Sequence, residues 1–237
     1  MSSGTAYNRA LLKLSGDALG GESGCFDETQ LDFVAEQTAS AYERCSQLGI
    51  VIGGGNIMRG RNFSDSGPRR LRADHAGMLA TVVNALVFED ALEQVGVPSQ
   101  VFSALPTTSQ AREFDARACR QELSAQQVVI LAGGTGNPLF TTDTAAALRA
   151  VQLEAEVLLK ATRVKGVFSQ DPEQEKSAQF FPHLSYQEIL AKRLGVMDLC
   201  AVSLCMEHGI PVQVFDFAGD GNLRRAVSGE SVGTLIE

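Results

Sequence analysis

The stretch Val128–Asp143, VVILAGGTGNPLFTTD, decides how this chain is read. Five apolar residues, Val128–Ala132, run into Gly133, Gly134, Thr135 and Gly136. Asn137-Pro138 follows, and Thr141-Thr142-Asp143 opens a helical run. A short apolar segment closed by glycines reads as a buried strand that feeds a loop whose bare backbone can approach a ligand closely. Thr142 or Asp143 is the expected N-cap of the next helix, whose unpaired N–H groups then point at whatever the loop holds. Taken alone, the loop is equally a tight strand-to-helix turn, so the flanking sequence must decide.

Towards the N-terminus, Arg9–Leu14 (RALLKL) reads as a first strand buried on both faces. Lys13 inside that run is costly to bury unless an anion meets it, the plain alternative being a strand-end lysine that reaches water. Ser15-Gly16 follows at once and Gly20-Gly21 soon after, so an ammonium and bare amides converge at one strand end. Asp27, with Gln30 three residues on, is the N-cap of a helix whose buried face carries Leu31, Val34, Ala35, Thr38, Ala41, Tyr42 and Cys45. That helix is expected to end near Arg44, with a strand from Gln47 to Ile52. Gly53-Gly54-Gly55 then leaves the backbone free to form an anion-binding concavity, and Arg59 adds a fixed positive fork.

Arg61–Arg70 is polar and reads as a loop or lid. An amphipathic helix is expected from Leu71 to Val95, closed by Gly96 and Pro98. Asp74 and His75 then fall in its first turn, where Asp74 either complements the helix dipole or meets a ligand hydroxyl. Further strands are expected at Ser99–Ser103, Val157–Leu159 and Pro211–Phe215, with Thr234–Ile236 as a closing edge strand. A hairpin is expected over Val164–Asp171, turning at Gly166. Helices are expected at Asp115–Ser124, Thr144–Leu153, Tyr186–Arg193 and Asp198–His208, with a helical turn at Leu223–Val227.

Strand and helix alternate throughout, which predicts a three-layer α/β/α fold around a central, largely parallel sheet. No composition shift marks a linker, so residues 1–237 read as a single domain. Ligands in open α/β sheets bind outside the carboxyl ends of the strands. Lys13–Gly16, the Gly53 loop, the Gly133 loop and Lys160-Ala161-Thr162 all fall at that edge. Three glycine loops with two lysines and an arginine describe a site for a highly anionic ligand.

The composition is consistent with this and excludes alternatives. At 44% hydrophobic and 20% charged, the 237-residue chain can bury a sizeable core. A net charge of −8 argues against a duplex nucleic-acid surface, so an anion must be held by local cations. No apolar run approaches the ~18 residues of a membrane span, and Met1–Asn8 lacks the apolar segment of a signal peptide. Five cysteines without C-x-x-C spacing read as reduced cytoplasmic thiols. The chain has no G-x-x-x-x-G-K-[ST] loop, and no G-x-G-x-x-G follows the first strand. P-loop kinases and dinucleotide-binding dehydrogenases are therefore disfavoured.

Five segments in order carry a family resemblance: Lys13–Gly16; IGGGNIMRG at Ile52–Gly60; ADHAGMLAT at Ala73–Thr81; GTGNPLFTTD at Gly134–Asp143; and LLKATRVKGVFSQDP at Leu158–Pro172. Together they resemble the signature set of the bacterial uridylate kinases, within the amino-acid kinase fold family. The glycine loops are shared across that fold family, whereas the GTGNP-FTTD segment and the DH-GMLAT helix are more specific to the uridylate enzymes.

The resemblance implies transfer of the γ-phosphoryl group of Mg-ATP to UMP, in pyrimidine nucleotide biosynthesis. It assigns ATP to Lys13, Leu14, Ser15, Gly16, Gly55, Arg59, Thr162, Phe168 and Asp171. It assigns UMP to Gly54, Asp74, Thr135, Gly136, Asn137, Pro138, Leu139, Phe140, Thr141 and Thr142. Lys13, Arg59 and Asp143 are the expected catalytic residues, with Asp143 orienting Lys13 or magnesium-bound water, or simply capping a helix. Lys160 either reaches the ATP side or is a strand-end lysine. Mg2+ is expected to arrive with ATP, without direct protein ligands. UMP's second phosphate pKa, about 6, leaves its attacking oxygen mostly deprotonated at neutral pH, so no general base is required.

The resemblance further implies a cytoplasmic homohexamer inhibited by UTP. GTP activation is expected to be weak or absent. Glu89, Glu93, Gln100 and Gln127 stand where GTP-responsive relatives carry basic residues, and carboxylates repel a triphosphate. The rival readings are a kinase of the same fold with another acceptor and a catalytically silent nucleotide-binding regulator.

Overall fold

The computed structural model describes residues 6–21, 24–58, 67–106, 109–172, 174–175 and 177–237. The first half of the chain contains β1 (Arg9–Leu14), α1 (Glu28–Tyr42), β2 (Gln47–Ile52), α2 (Gly67–Gln94), β3 (Ser99–Ser103), β4 (Arg112–Glu113) and α3 (Ala116–Ser124). Then come β5 (Val128–Ala132), α4 (Thr142–Gln152), β6 (Val157–Thr162), β7 (Val167–Phe168), β8 (Phe180–Phe181) and β9 (His183–Leu184). The chain closes with α5 (Tyr186–Lys192), α6 (Leu199–His208), β10 (Val212–Asp216), α7 (Asn222–Val227) and β11 (Thr234–Ile236).

Nine strands make one sheet in the order β4-β3-β5-β2-β1-β6-β10-β11-β9, and every pairing is parallel except β10 with β11. The strand side chains alternate between two cores. Leu12 and Leu14 of β1 and Ile130 of β5 pack under α1, α2 and α7, whereas Leu11, Val129 and Leu131 pack under α3 to α6. This is the three-layer α/β/α arrangement expected from the strand–helix alternation, and it explains why the strands are apolar on both faces.

β1 is central, with β2 on one side and β6 on the other. The chain builds outward from β1 through β2 and β5, then returns to its far side with β6. That reversal opens a crevice at the carboxyl ends of these strands. Period-2 alternation puts Lys13 on the Leu11 face and Lys160 on the Leu158 face, and the two lysines are register partners across β1 and β6. Both therefore rise on the same side of the sheet, the side that α4 covers.

Several boundaries differ from expectation for definite reasons. α2 starts at Gly67, so the expected 61–70 loop is helical from that point, and 59–66 lie outside the described residues. Pro68 sits in the first turn, where its missing N–H costs nothing, so the Gly-Pro pair marks a helix start and not a loop. Asp74 and His75 consequently lie beyond the first turn. The N-cap of α4 is Thr141, not Thr142 or Asp143; its hydroxyl accepts from the amides of Asp143 and Thr144. β6 runs on to Thr162 because Lys160, Ala161 and Thr162 find partners on β10. Val164–Asp171 is not a hairpin, since β7 pairs with β8. β11 is not the edge strand, because β9 pairs along its outer side.

Candidate active site

At the base of the crevice, Asp143 stands between two lysines. Lys160 Nζ donates to Asp143 Oδ2 at 2.5 Å, and Lys13 Nζ lies 3.3 Å from Oδ1. The three side chains are only 12–17% exposed. Asp143 Oδ1 is buried and accepts no hydrogen bond among the described residues, and Lys13 faces it as an ion pair. Of the two sequence readings of Lys13, an anion partner or a strand end reaching water, the structure shows a partly buried lysine whose nearest anion is the protein's own Asp143. Burial pushes the Lys160 ammonium pKa below the ordinary lysine range, partly offset by Asp143, while Lys13 reinforces the depression. Asp143 thus faces two ammonium groups, and Asp198 adds a further negative charge acting on Lys160.

Asp143 is held there by a second acid. Asp198 caps α6 by accepting from the Ala201 amide, and also accepts from the hydroxyls of Thr141 and Thr144. Desolvation raises the Asp198 pKa, but the hydrogen bonds from Thr141, Ala201 and Thr144 outweigh it and hold the carboxyl below the usual range. One carboxylate thus ties the first turn of α6 to the first turn of α4, on which Asp143 sits.

Above this base lies a cleft of about 370 Å³. It is lined by Lys13, Ser15, Gly54, Gly55, Asp74, Thr135, Asn137, Phe140, Thr141 and Thr142 among the residues singled out from sequence, together with Arg70, Met78 and Thr81. Gly136, Pro138 and Leu139 belong to the same loop but do not line the cleft. Leu139 is in the left-handed region (φ +73°), and its amide donates to Asp74 Oδ2 at 3.0 Å. Asp74 Oδ1 accepts from Arg70 Nε at 2.7 Å. Both oxygens of Asp74 are therefore engaged by the protein, and Asp74 joins α2 to the Gly133 loop.

A second cavity, about 430 Å³, is lined by Lys160, Thr162, Phe168 and Asp171. A third, about 650 Å³, contains Lys13, Leu14 and Ser15 with Lys160 and Thr162. Lys13 and Lys160 are where these spaces meet. Gly16 is packed between loops, where an added Cβ would meet the Asn56 side chain and lie 2.6 Å from Gly53 O. Arg59 lies outside the described residues. Among those described, no group of three or more His, Cys, Asp or Glu side chains is arranged to hold a metal ion.

Four positioning residues had no distinct sequence signal. Asn84, fully buried in α2, donates to Gly53 O at 2.7 Å and exchanges hydrogen bonds with Asn56. Thr81 Oγ1 accepts from the Gly133 amide at 2.7 Å. Arg149 donates to Gly134 O at 3.1 Å. Asp198 was legible as a helix start but not as the partner of Thr141.

Residues 8–216 match the model of the amino acid kinase family. A protein called uridylate kinase from Legionella pneumophila (strain Corby) is 46% identical over 97% of this chain and 94% of its own length. Another of that name, from Pseudomonas syringae pv. syringae (strain B728a), is 47% identical over 98% and 94%. The crystal structure of UMP kinase from Bacillus anthracis superposes with a TM-score of 0.94 at 34% identity, covering 98% of this chain and 96% of that one. With that depth of agreement in sequence and fold, the chain belongs to the amino acid kinase family and, within it, to the uridylate kinases.

Proposed function

We propose that the chain transfers the γ-phosphoryl group of ATP to UMP, giving ADP and UDP. The observation that carries this reading is the Lys13–Asp143–Lys160 cluster at the meeting point of the cavities. The 370 Å³ cleft takes UMP, with Gly54, Asp74 and the Thr135–Thr142 loop around it. The 430 Å³ cavity takes the adenosine end of ATP, against Thr162, Phe168 and Asp171. The phosphates then meet above Lys13 and Lys160, with Ser15, Gly16, Gly55 and Arg59 as further contacts.

The chemistry demanded of the protein is modest. The acceptor phosphate is already mostly ionised near neutral pH, so no side chain need remove a proton. Two polyanions must be held in line while charge on the transferred group is neutralised. Lys13 and Lys160 supply fixed cations in a partly dry site, where they act more strongly than in water. Asp143 keeps the two ammonium groups at one spot. Its buried Oδ1, without a hydrogen bond among the described residues, is a fitting acceptor for a water of ATP-bound Mg2+. Magnesium brought with ATP would supply positive charge that neutralises part of the phosphate charge.

The same reading takes the chain as one cytoplasmic domain assembling into a UTP-inhibited homohexamer with little GTP response. Glu89 supports the last point, since its Oε1 accepts from the Val101 amide at 3.0 Å and is committed to the sheet. Burial pushes the Glu89 carboxyl pKa up, and Glu93 adds to the rise.

The test is ADP production from ATP with UMP, CMP and AMP side by side. UMP should be the preferred acceptor, and Lys13→Ala should lower kcat at least tenfold, about 1.4 kcal/mol of transition-state stabilisation. Equal rates with all three acceptors would overturn the assignment of UMP. UTP binding without any turnover would identify a silent regulator instead.

A further inference from the structure

Arg149 is a buried cation whose presence the phosphate-binding cluster does not explain. It lies on α4 at 4% exposure. Among the described residues no carboxylate pairs with it. Its guanidinium stacks on the Phe114 ring at 3.7 Å, Nη1 donates to Gln152 Oε1 at 2.6 Å, and Nη2 donates to Gly134 O at 3.1 Å. Desolvating a guanidinium costs several kcal/mol, and an apolar side chain of similar volume usually serves stability as well or better. An arginine here must do something that packing cannot.

The bond to Gly134 O supplies it. In a trans peptide the carbonyl of one residue and the N–H of the next point in opposite directions. With the Gly134 carbonyl drawn back towards Arg149, the Thr135 N–H faces away from α4. Gly134 and Thr135 both line the cleft, and the Thr135 amide has no acceptor among the described residues. Gly134, at positive φ, tolerates either orientation of that peptide, but the flipped form would push β-branched Thr135 to positive φ, so the turn closed by the Gly136 amide on Gly133 O already favours the observed one. In the flipped form a carbonyl oxygen would face an anionic ligand. Arg149 is the side-chain donor that reinforces the observed form.

We propose that Arg149 is a positioning residue that holds the Gly134–Thr135 peptide with its carbonyl inward, so that the Thr135 N–H donates to an electron-rich oxygen of the phosphoryl acceptor. The inference rests on the reading of the 370 Å³ cleft as the acceptor site. It predicts an effect on acceptor binding that is separable from phosphoryl transfer, because Arg149 touches neither Lys13 nor Asp143 nor the 430 Å³ cavity.

The experiment compares the full-length wild type with Arg149→Met and Arg149→Lys. In Arg149→Met the KM for UMP should rise at least tenfold, while kcat changes less than threefold and the KM for ATP is unchanged. Arg149→Lys keeps a donor and should recover part of the loss. Hydrogen exchange followed on the peptide spanning 133–140, without nucleotides, should be faster in Arg149→Met than in wild type. An unchanged KM for UMP, or KM values for both nucleotides rising in step with kcat falling, overturns the proposal. If Arg149→Met does not fold, Arg149→Lys decides, and a UMP KM identical to wild type sinks the idea. Failure of the functional reading looks different, since the wild type itself would then not turn over UMP. The exchange comparison still judges Arg149 in that case: equal rates refute its role.

Discussion

In the loop after β5, Gly133, Gly134 and Gly136 have φ of +76°, +58° and +82°; in the loop after β2, Gly53, Gly54 and Gly55 stay out of that region. The β5 loop uses glycine to turn, entering a backbone conformation that L side chains resist. The β2 loop uses glycine to fit. A Cβ on Gly54 would lie 2.6 Å from Gly77 O of α2, and one on Gly53 would lie 3.0 Å from Gly16 N. Each loop is then pinned by side chains from the helices, Thr81 and Arg149 for the β5 loop and Asn84, which also bonds Asn56, for the β2 loop. Two similar-looking glycine runs thus solve different problems at the same cleft.

Substitutions can separate these causes. Gly133→Ala combines both, since its Cβ would sit 2.8 Å from Ala104 N on a left-handed backbone. Left-handed strain and overpacking together should cost roughly 4 kcal/mol, read from urea unfolding at fixed protein concentration. Gly54→Ala carries only the steric part and should cost about 2–3 kcal/mol while closing the cleft to acceptor. Asn84→Ala leaves Gly53 O and Asn56 Oδ1 short of a donor and should cost about 2 kcal/mol. Gly134→Ala is the mildest, at about 1 kcal/mol, because its Cβ meets only the flexible Met78 side chain at 3.5 Å. If Gly54→Ala proves as mild as Gly134→Ala, α2 gives way easily and close approach is not what the β2 loop needs glycine for.

The misread boundaries fall where local sequence and long-range pairing disagree. Lys160 looks like the end of a strand because lysine is polar, yet β10 pairs with it and carries the strand on to Thr162. Gly67-Pro68 looks like loop punctuation, yet proline is well tolerated in a first helical turn. Because α2 begins at Gly67, one turn before Leu71, Asp74 lies beyond the first turn. In the structure it bridges Arg70 and the Leu139 amide, which no spacing rule in α2 suggests.

The sequence by itself determined the alternation of strand and helix, the helix cap at Asp27, the helix starts at Asp115 and Asp198, and the placement of glycine loops at one sheet edge. These follow from periodicity, φ preferences and side-chain hydrogen bonds that span only a few residues. Only the tertiary structure decided that Lys13 and Lys160 stand side by side beneath Asp143, and that Asn84 and Arg149 hold the two loops. Those relations depend on strand order and on which helix covers which face, so they arise from burial summed over the whole sheet and not from any one segment.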